Sequence, residues 1–171
     1  MDSPVGPLTI ASGDEGLESI RFGRNIPTSV VAAPGPGSAA LGQLRQYFAG
    51  KRQQFDLPLA LAGTPFQLSV WEELSRIPYG ETRSYGQIAD RLGKHGAARA
   101  VGMANHVNPI PIIIPCHRVV RHDGSLTGYA GGLNIKESLL SLEGALTIKE
   151  QKATGAGARG RSTAVGPSLF A

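Results

Sequence analysis

Two capping boxes constrain this chain more than any other feature of its 171 residues. In "TPFQ", Thr64 stands where a helix N-cap belongs and Pro65 takes the first helical position, where its missing N–H is not needed. Gln67 follows three residues after the cap, placed to close back on the cap's own N–H. Phe66, Val70, Leu74 and Ile77 then recur at helical spacing until "IPYGET" stops the run. "SYGQIADRLG" repeats the device, with Ser84 and Gln87 as the box, Ile88, Ala89 and Leu92 as the buried stripe and Gly93 as the stop. "AARAVGMANHV" predicts a third helix of small residues, ended by Asn108-Pro109. Two short helices joined by a brief Gly-containing turn form a helix-turn-helix candidate, whose second helix would reach a nucleic-acid groove. Ordinary packing pairs share the pattern.

Residues 1–63 read as a small β-rich unit. "PLTIAS" and "LESIRF" are strand-like runs around the turn signal "GDEG", "SVVAAPGPGSAA" has the composition of a loop, "ALGQLRQYFAG" is helical and "FDLPLALAG" returns to extended chain. Beyond the predicted helices, "IPIII" is expected to be a buried strand and "RHDGSLTGYAGG" a Gly-rich loop. "NIKESLLSLEG" is expected to be a helix with Asn134 as N-cap, Glu137 completing a capping box, and Leu139, Leu140 and Leu142 facing inward. Residues 145–171 have no sustained period and are expected to be a largely disordered basic tail.

No stretch approaches the roughly 18 to 20 apolar residues of a membrane span, and the start lacks the pattern of a secretory leader, so the cytoplasm is the expected compartment. A single cysteine excludes an internal disulfide, and four scattered histidines lack zinc-site spacing, so neither metal nor cofactor is expected. The formal charge is +4, but Lys149, Lys152, Arg159 and Arg161 against Glu150 place +3 of it in the tail. Residues 83–121 still form a local basic segment, with Arg83, Arg91, Lys94, Arg99, Arg118 and Arg121 against Asp90.

That segment runs into the lone cysteine, Cys116, in "IPIIIPCHRVV". A cysteine after three isoleucines is as readily an inert core thiol as a nucleophile. Only a thiolate attacks well, so reactivity requires a base or a positive field. His117 and Arg118 follow directly, but neighbours on an extended strand point to opposite faces. His117 therefore helps only if the chain turns at Cys116 or a water bridges the two groups, and Pro115 makes the turn plausible.

"NPIPIIIPCHRVV", followed by "GYAGGLNIKESLLSLEG" and preceded by "IPYGETRSYGQIA" and "AARAVGMANHVNP", closely resembles the methylated-DNA–protein-cysteine methyltransferases, which repair O6-alkylguanine. The likeness is dense over residues 64–144 and looser before. It implies an N-terminal ribonuclease-H-like α/β domain over residues 1–63. A mainly α, winged-helix-like C-terminal domain with a helix-turn-helix would follow over residues 64–144. The implied partner is double-stranded DNA containing alkylated guanine, acted on by a monomer, with clustering on DNA left open. The damaged nucleotide is flipped out and its alkyl group, from O6-alkylguanine or O4-alkylthymine, passes to the protein once.

The resemblance makes Cys116 the acceptor and His117 a base acting through a water. Glu143 would orient the imidazole, a carboxylate expected to matter for rate and little for folding. Asn108 matches a hinge residue and Arg99 a finger that enters the base stack. Tyr85 matches a tyrosine at the pocket base. The carbonyls of Cys116 and Val119 would accept from the exocyclic amine, and Tyr129, Ala130 and Gly131 would close the pocket. Ala130 departs from the Ser that relatives often carry. The amino terminus is shorter than usual, which puts the first strand in doubt. A cysteine hydrolase would also use Cys116 and His117, but nothing else in the chain supplies an oxyanion hole.

Overall fold

The computed structural model describes residues 1–23 and 35–146. The expected tail from residue 147 onward, and the first half of the expected loop at "SVVAAPGPGSAA", lie outside those residues.

The N-terminal part is a hairpin of β1 (Leu8–Gly13) and β2 (Gly16–Phe22), antiparallel with Leu8 opposite Phe22 and Ile10 opposite Ile20. The first strand is therefore paired along its whole length. Helix α1 (Pro36–Phe48) lies on the hairpin and buries Ala40, Leu44 and Tyr47. It begins inside the segment expected to be loop, because Pro36 sits at the start of the helix, where proline is pre-organised for it. The extended stretch after α1 joins the sheet edge through a parallel bridge from Leu59 to Leu17.

Helix α2 (Pro65–Ser75) and helix α3 (Tyr85–Arg91) both start on the predicted capping boxes. Thr64 Oγ1 accepts from Gln67 N–H, and Ser84 Oγ accepts from Gln87 N–H, each at 3.2 Å. Helix α4 (Ala98–His106) packs on both, and Trp71 Nε1 of α2 donates to the Ala104 carbonyl at 2.8 Å. The two-residue strand β3 (Arg83–Ser84) runs parallel to β4 (Val119–Val120), which ties the start of α3 to the chain just past Cys116. Helix α5 (Leu133–Leu142) closes the described chain.

Two expectations are corrected. Residues 110–114 are a tight turn, not a strand: Ile114 N–H donates to the Ile110 carbonyl at 2.9 Å and Ile112 is held at φ 78°. Pro109 and Pro111 lack the N–H groups a ladder needs, and burial of Ile110, Ile112 and Ile114 holds the strained turn closed. Helix α5 starts on Gly132, at φ 91°, and no side chain caps it, so Asn134 is not its N-cap. The register that follows puts Lys136, Leu139 and Leu140 inside and leaves Leu142 36% exposed.

Candidate active site

The turn at residues 110–114 delivers Cys116 into a single 3-10 turn, Cys116–Arg118, so the chain does change direction at Cys116. Both residues are buried, with Cys116 2% and His117 0% exposed. Burial pushes the thiol up to about 11, opposed by interactions with Asn108, the charge of Lys136 and the Tyr129 hydroxyl. The Tyr129 hydroxyl lies near the thiol and has no hydrogen-bond partner among the described residues. Asn108 is fixed from both ends: its Nδ2 donates to the Ile114 carbonyl at 2.9 Å and its Oδ1 accepts from Ile110 N–H at 3.0 Å. It thus clamps the turn that carries the cysteine.

His117 Nε2 lies 2.8 Å from Glu143 Oε1, and Nδ1 has no hydrogen-bond partner among the described residues. The acceptor on one side makes Nε2 the protonated nitrogen and leaves Nδ1 as a base. Burial lowers the imidazole's pKa despite Glu143, so the ring is neutral. Glu143 is a buried hub at the C-terminus of α5, 5% exposed. It accepts from Tyr47 Oη at 2.7 Å, Arg118 Nε at 2.8 Å, Arg118 Nη2 at 2.9 Å and, more weakly, Gly80 N–H at 3.4 Å. Burial alone would raise its pKa, but the hydrogen bonds from His117 and Arg118 and the Arg118 charge prevail and hold it at about 2. A carboxylate so embedded bears on folding, contrary to the expectation from sequence.

Around this pair the remaining expected residues divide. Tyr85, the first residue of α3, has its hydroxyl 3.2 Å from Thr127 Oγ1, and its ring lies 3.8 Å from where a Cβ on Gly102 would stand. Tyr129 is buried, Ala130 is exposed, and a Cβ on Gly131 would meet the Phe22 ring at 2.8 Å, so glycine is required there. The Val119 carbonyl already accepts from Lys136 Nζ at 2.6 Å, and the Cys116 carbonyl from Asn105 Nδ2 at 3.5 Å. Arg99 is apart from the buried group, on the exposed face of α4.

Residues 65–145 match the family model described as 6-O-methylguanine DNA methyltransferase, DNA binding domain, and residues 1–61 match its ribonuclease-like domain. The chain belongs to the methylated-DNA–protein-cysteine methyltransferase family. It is 54% identical over 147 residues to the methyltransferase of that name from Mycobacterium bovis, covering 84% of this chain and 89% of the relative. It is 51% identical to the one from Methanosarcina acetivorans, covering 84% and 95%. The fold matches the crystal structure of Mycobacterium tuberculosis OGT in complex with DNA with a TM-score of 0.78 at 53% identity, over 85% of this chain and 91% of that one.

Within this family member, three site residues escape a reading of the sequence. Arg118 counts as a surface cation in the basic segment, yet it is 5% exposed and its charge is met by Glu143, with Nη1 donating to the Ile77 carbonyl at 2.6 Å. Arg83 pairs with Glu81 and Arg91 with Glu73, so Lys94, Arg99 and Arg121 are the members of the segment without an ion pair among the described residues. Lys136 is fully buried, donates to the carbonyls of Val119 and Thr127, and is lowered by burial to about 8. Its place one turn before Leu139 and Leu140 is the signal that could have found it. Tyr47 had no such signal.

Proposed function

We propose that the protein repairs DNA by moving the alkyl group of O6-alkylguanine, and of O4-alkylthymine, to Cys116 in one irreversible step. The observation that carries this is the buried Cys116 beside a His117 whose Nε2 is held by Glu143 and whose Nδ1 is left to accept. The Cys116 proton passes through a water to Nδ1, sulfur attacks the alkyl carbon, and the carbon–O6 bond breaks. The guanine anion leaves and takes up one proton at nitrogen, matched by the proton that the His117 imidazolium gives back through water, so the charges balance.

A thiol at about 11 is almost wholly protonated at pH 7, and ionising it there costs on the order of 5 kcal/mol. Transfer to an imidazole below its ordinary value is also uphill, so proton removal and carbon–oxygen cleavage proceed together. A thioether has no good leaving group and the chain has no second thiol, so each molecule reacts once.

The substrate base must leave the stack to reach a thiol 2% exposed. In this reading the division falls at residues 1–63 and 64–144, and α3 with α4 forms the DNA-binding pair. Arg99 fills the stack, Tyr85 bonds the guanine and the segment Tyr129, Ala130 and Gly131 closes over it. The Val119 carbonyl takes the exocyclic amine on its second lone pair, and the Cys116 carbonyl, which already accepts from Val119 N–H, takes it in place of its long contact with Asn105. The protein acts as a cytoplasmic monomer. No described helix is long and apolar enough to cross a membrane.

Titration with excess duplex bearing O6-methylguanine tests the reading. Repair should stop at one lesion per protein molecule, and Cys116→Ser should bind the duplex without repairing it. Repair of many lesions per molecule would defeat it.

A further inference from the structure

We propose that the N-terminal domain completes the active site through Tyr47, a positioning residue whose hydroxyl bonds Glu143 and thereby sets how strongly that carboxylate draws on His117. The inference rests on the proposed base role of His117 but concerns a residue 96 positions earlier in the chain than its partner.

Tyr47 lies in the last turn of α1 and is fully buried. Phe48, Phe55 and Tyr79 surround its ring, with centroids 5.3, 5.5 and 6.1 Å away. The aromatic shell accounts for the ring; it gives no reason for the hydroxyl. That oxygen lies 2.7 Å from Glu143 Oε1, the same atom that faces His117 Nε2 at 2.8 Å and Arg118 Nη2 at 2.9 Å. Burial raises the phenol's pKa far above its ordinary value, so the group is a permanent donor.

Three donors on one carboxylate oxygen compete, since that atom offers about two lone-pair directions. The share taken by Tyr47 is withheld from His117. The titratable and charged groups facing the pair are Tyr47 from α1, Tyr79 after α2, Arg118 from the 3-10 turn, Tyr129 before α5 and Lys136 from α5. Of these, Tyr47 and Arg118 donate to the oxygen that holds the imidazole, and Arg118 also anchors the other oxygen.

The same domain touches the site twice more. Ile20 N–H donates to the Pro109 carbonyl at 2.9 Å, next to Asn108, and the Phe22 ring packs on Tyr129 at 5.6 Å. The hairpin and α1 therefore act as part of the reaction centre as well as its support.

The sign of the effect follows. Tyr47→Phe keeps the ring and removes a donor, so Glu143 holds the imidazolium more tightly and His117 becomes easier to protonate. Protonation at Nδ1 ends its work as a base. The acid limb of single-turnover transfer should therefore move to higher pH, by about half a unit to one unit, since the imidazole receives only part of the strength of a hydrogen bond to a charged acceptor.

The test uses the full chain and two readouts. Transfer to free O6-benzylguanine is followed from pH 5 to 9 for the parent and Tyr47→Phe, and nitrogen-15 NMR follows the His117 ring in both. The proposal expects both midpoints to rise together in a folded variant. Unchanged midpoints, or a loss of rate that only follows unfolding, would make Tyr47 a packing residue and overturn it. If the parent transfers nothing, the proposed function fails, while the NMR titration still decides the role of Tyr47.

Discussion

Replacing Glu143 with Gln preserves the shape of the side chain while placing an amide N–H among five donors: Tyr47 Oη, His117 Nε2, Arg118 Nε and Nη2, and Gly80 N–H. Arg118, 5% exposed, would keep its charge and lose its counter-ion. Breaking a buried pair from one side costs about 3–5 kcal/mol. The proton linkage agrees: a carboxyl moved from 4.5 to about 2 stores on the order of 3 kcal/mol. In a domain of this size each kcal/mol shifts the melting temperature by roughly 2–4 °C, so the variant should melt about 6–20 °C lower at pH 7. Because the folded-state pKa is depressed, the stabilisation is complete above about 4.5 and is lost as pH falls toward 2. The gap between parent and variant should therefore close on acidification. Calorimetry at pH 7, 5 and 3 reads this out, and adding Arg118→Met to Glu143→Gln should restore part of the loss by removing the stranded charge. A variant that melts within about 2 °C of the parent at pH 7 would refute the hub described for Glu143.

Other outcomes are equally specific. Arg99→Ala should slow repair in duplex DNA at least about tenfold while leaving reaction with free O6-benzylguanine unchanged, since only the duplex needs its stack filled; equal losses on both would count against the finger. Lys136→Met removes the cation whose field lowers the Cys116 thiol, so transfer should fall about tenfold on duplex and free base alike; a loss confined to duplex would place Lys136 with DNA instead. His117 is buried with a pKa below its ordinary 6.5, so its contribution to stability is complete above that value and lost as pH falls below it; urea midpoints that stay flat from pH 6.5 to 5 would contradict its burial as a neutral ring.

What the sequence discloses here is what depends on near neighbours. Thr64 with Gln67, and Ser84 with Gln87, decide their helix starts within four residues, and both appear as read. The resemblance points to Cys116, His117, Glu143, Asn108 and Tyr85, and the structure gathers the first four around one turn. The hidden parts depend on distant partners. Arg118 looks like a surface charge until Ile77 and Glu143, 41 and 25 residues away, are brought to it. Tyr47 looks like a core aromatic until Glu143 arrives from 96 residues on. The strand expected at "IPIII" failed for a local reason that was legible: its flanking prolines cannot join a ladder.

In the proposed function Cys116 is the acceptor and is consumed. Intact-protein and peptide mass spectrometry after incubation with excess O6-methylguanine duplex tests it directly. One added methyl mass per molecule is expected, located on the peptide containing Cys116, with none added to Cys116→Ser. An unmodified Cys116 in protein that has repaired the lesion, or a methyl group on any other residue, would contradict it.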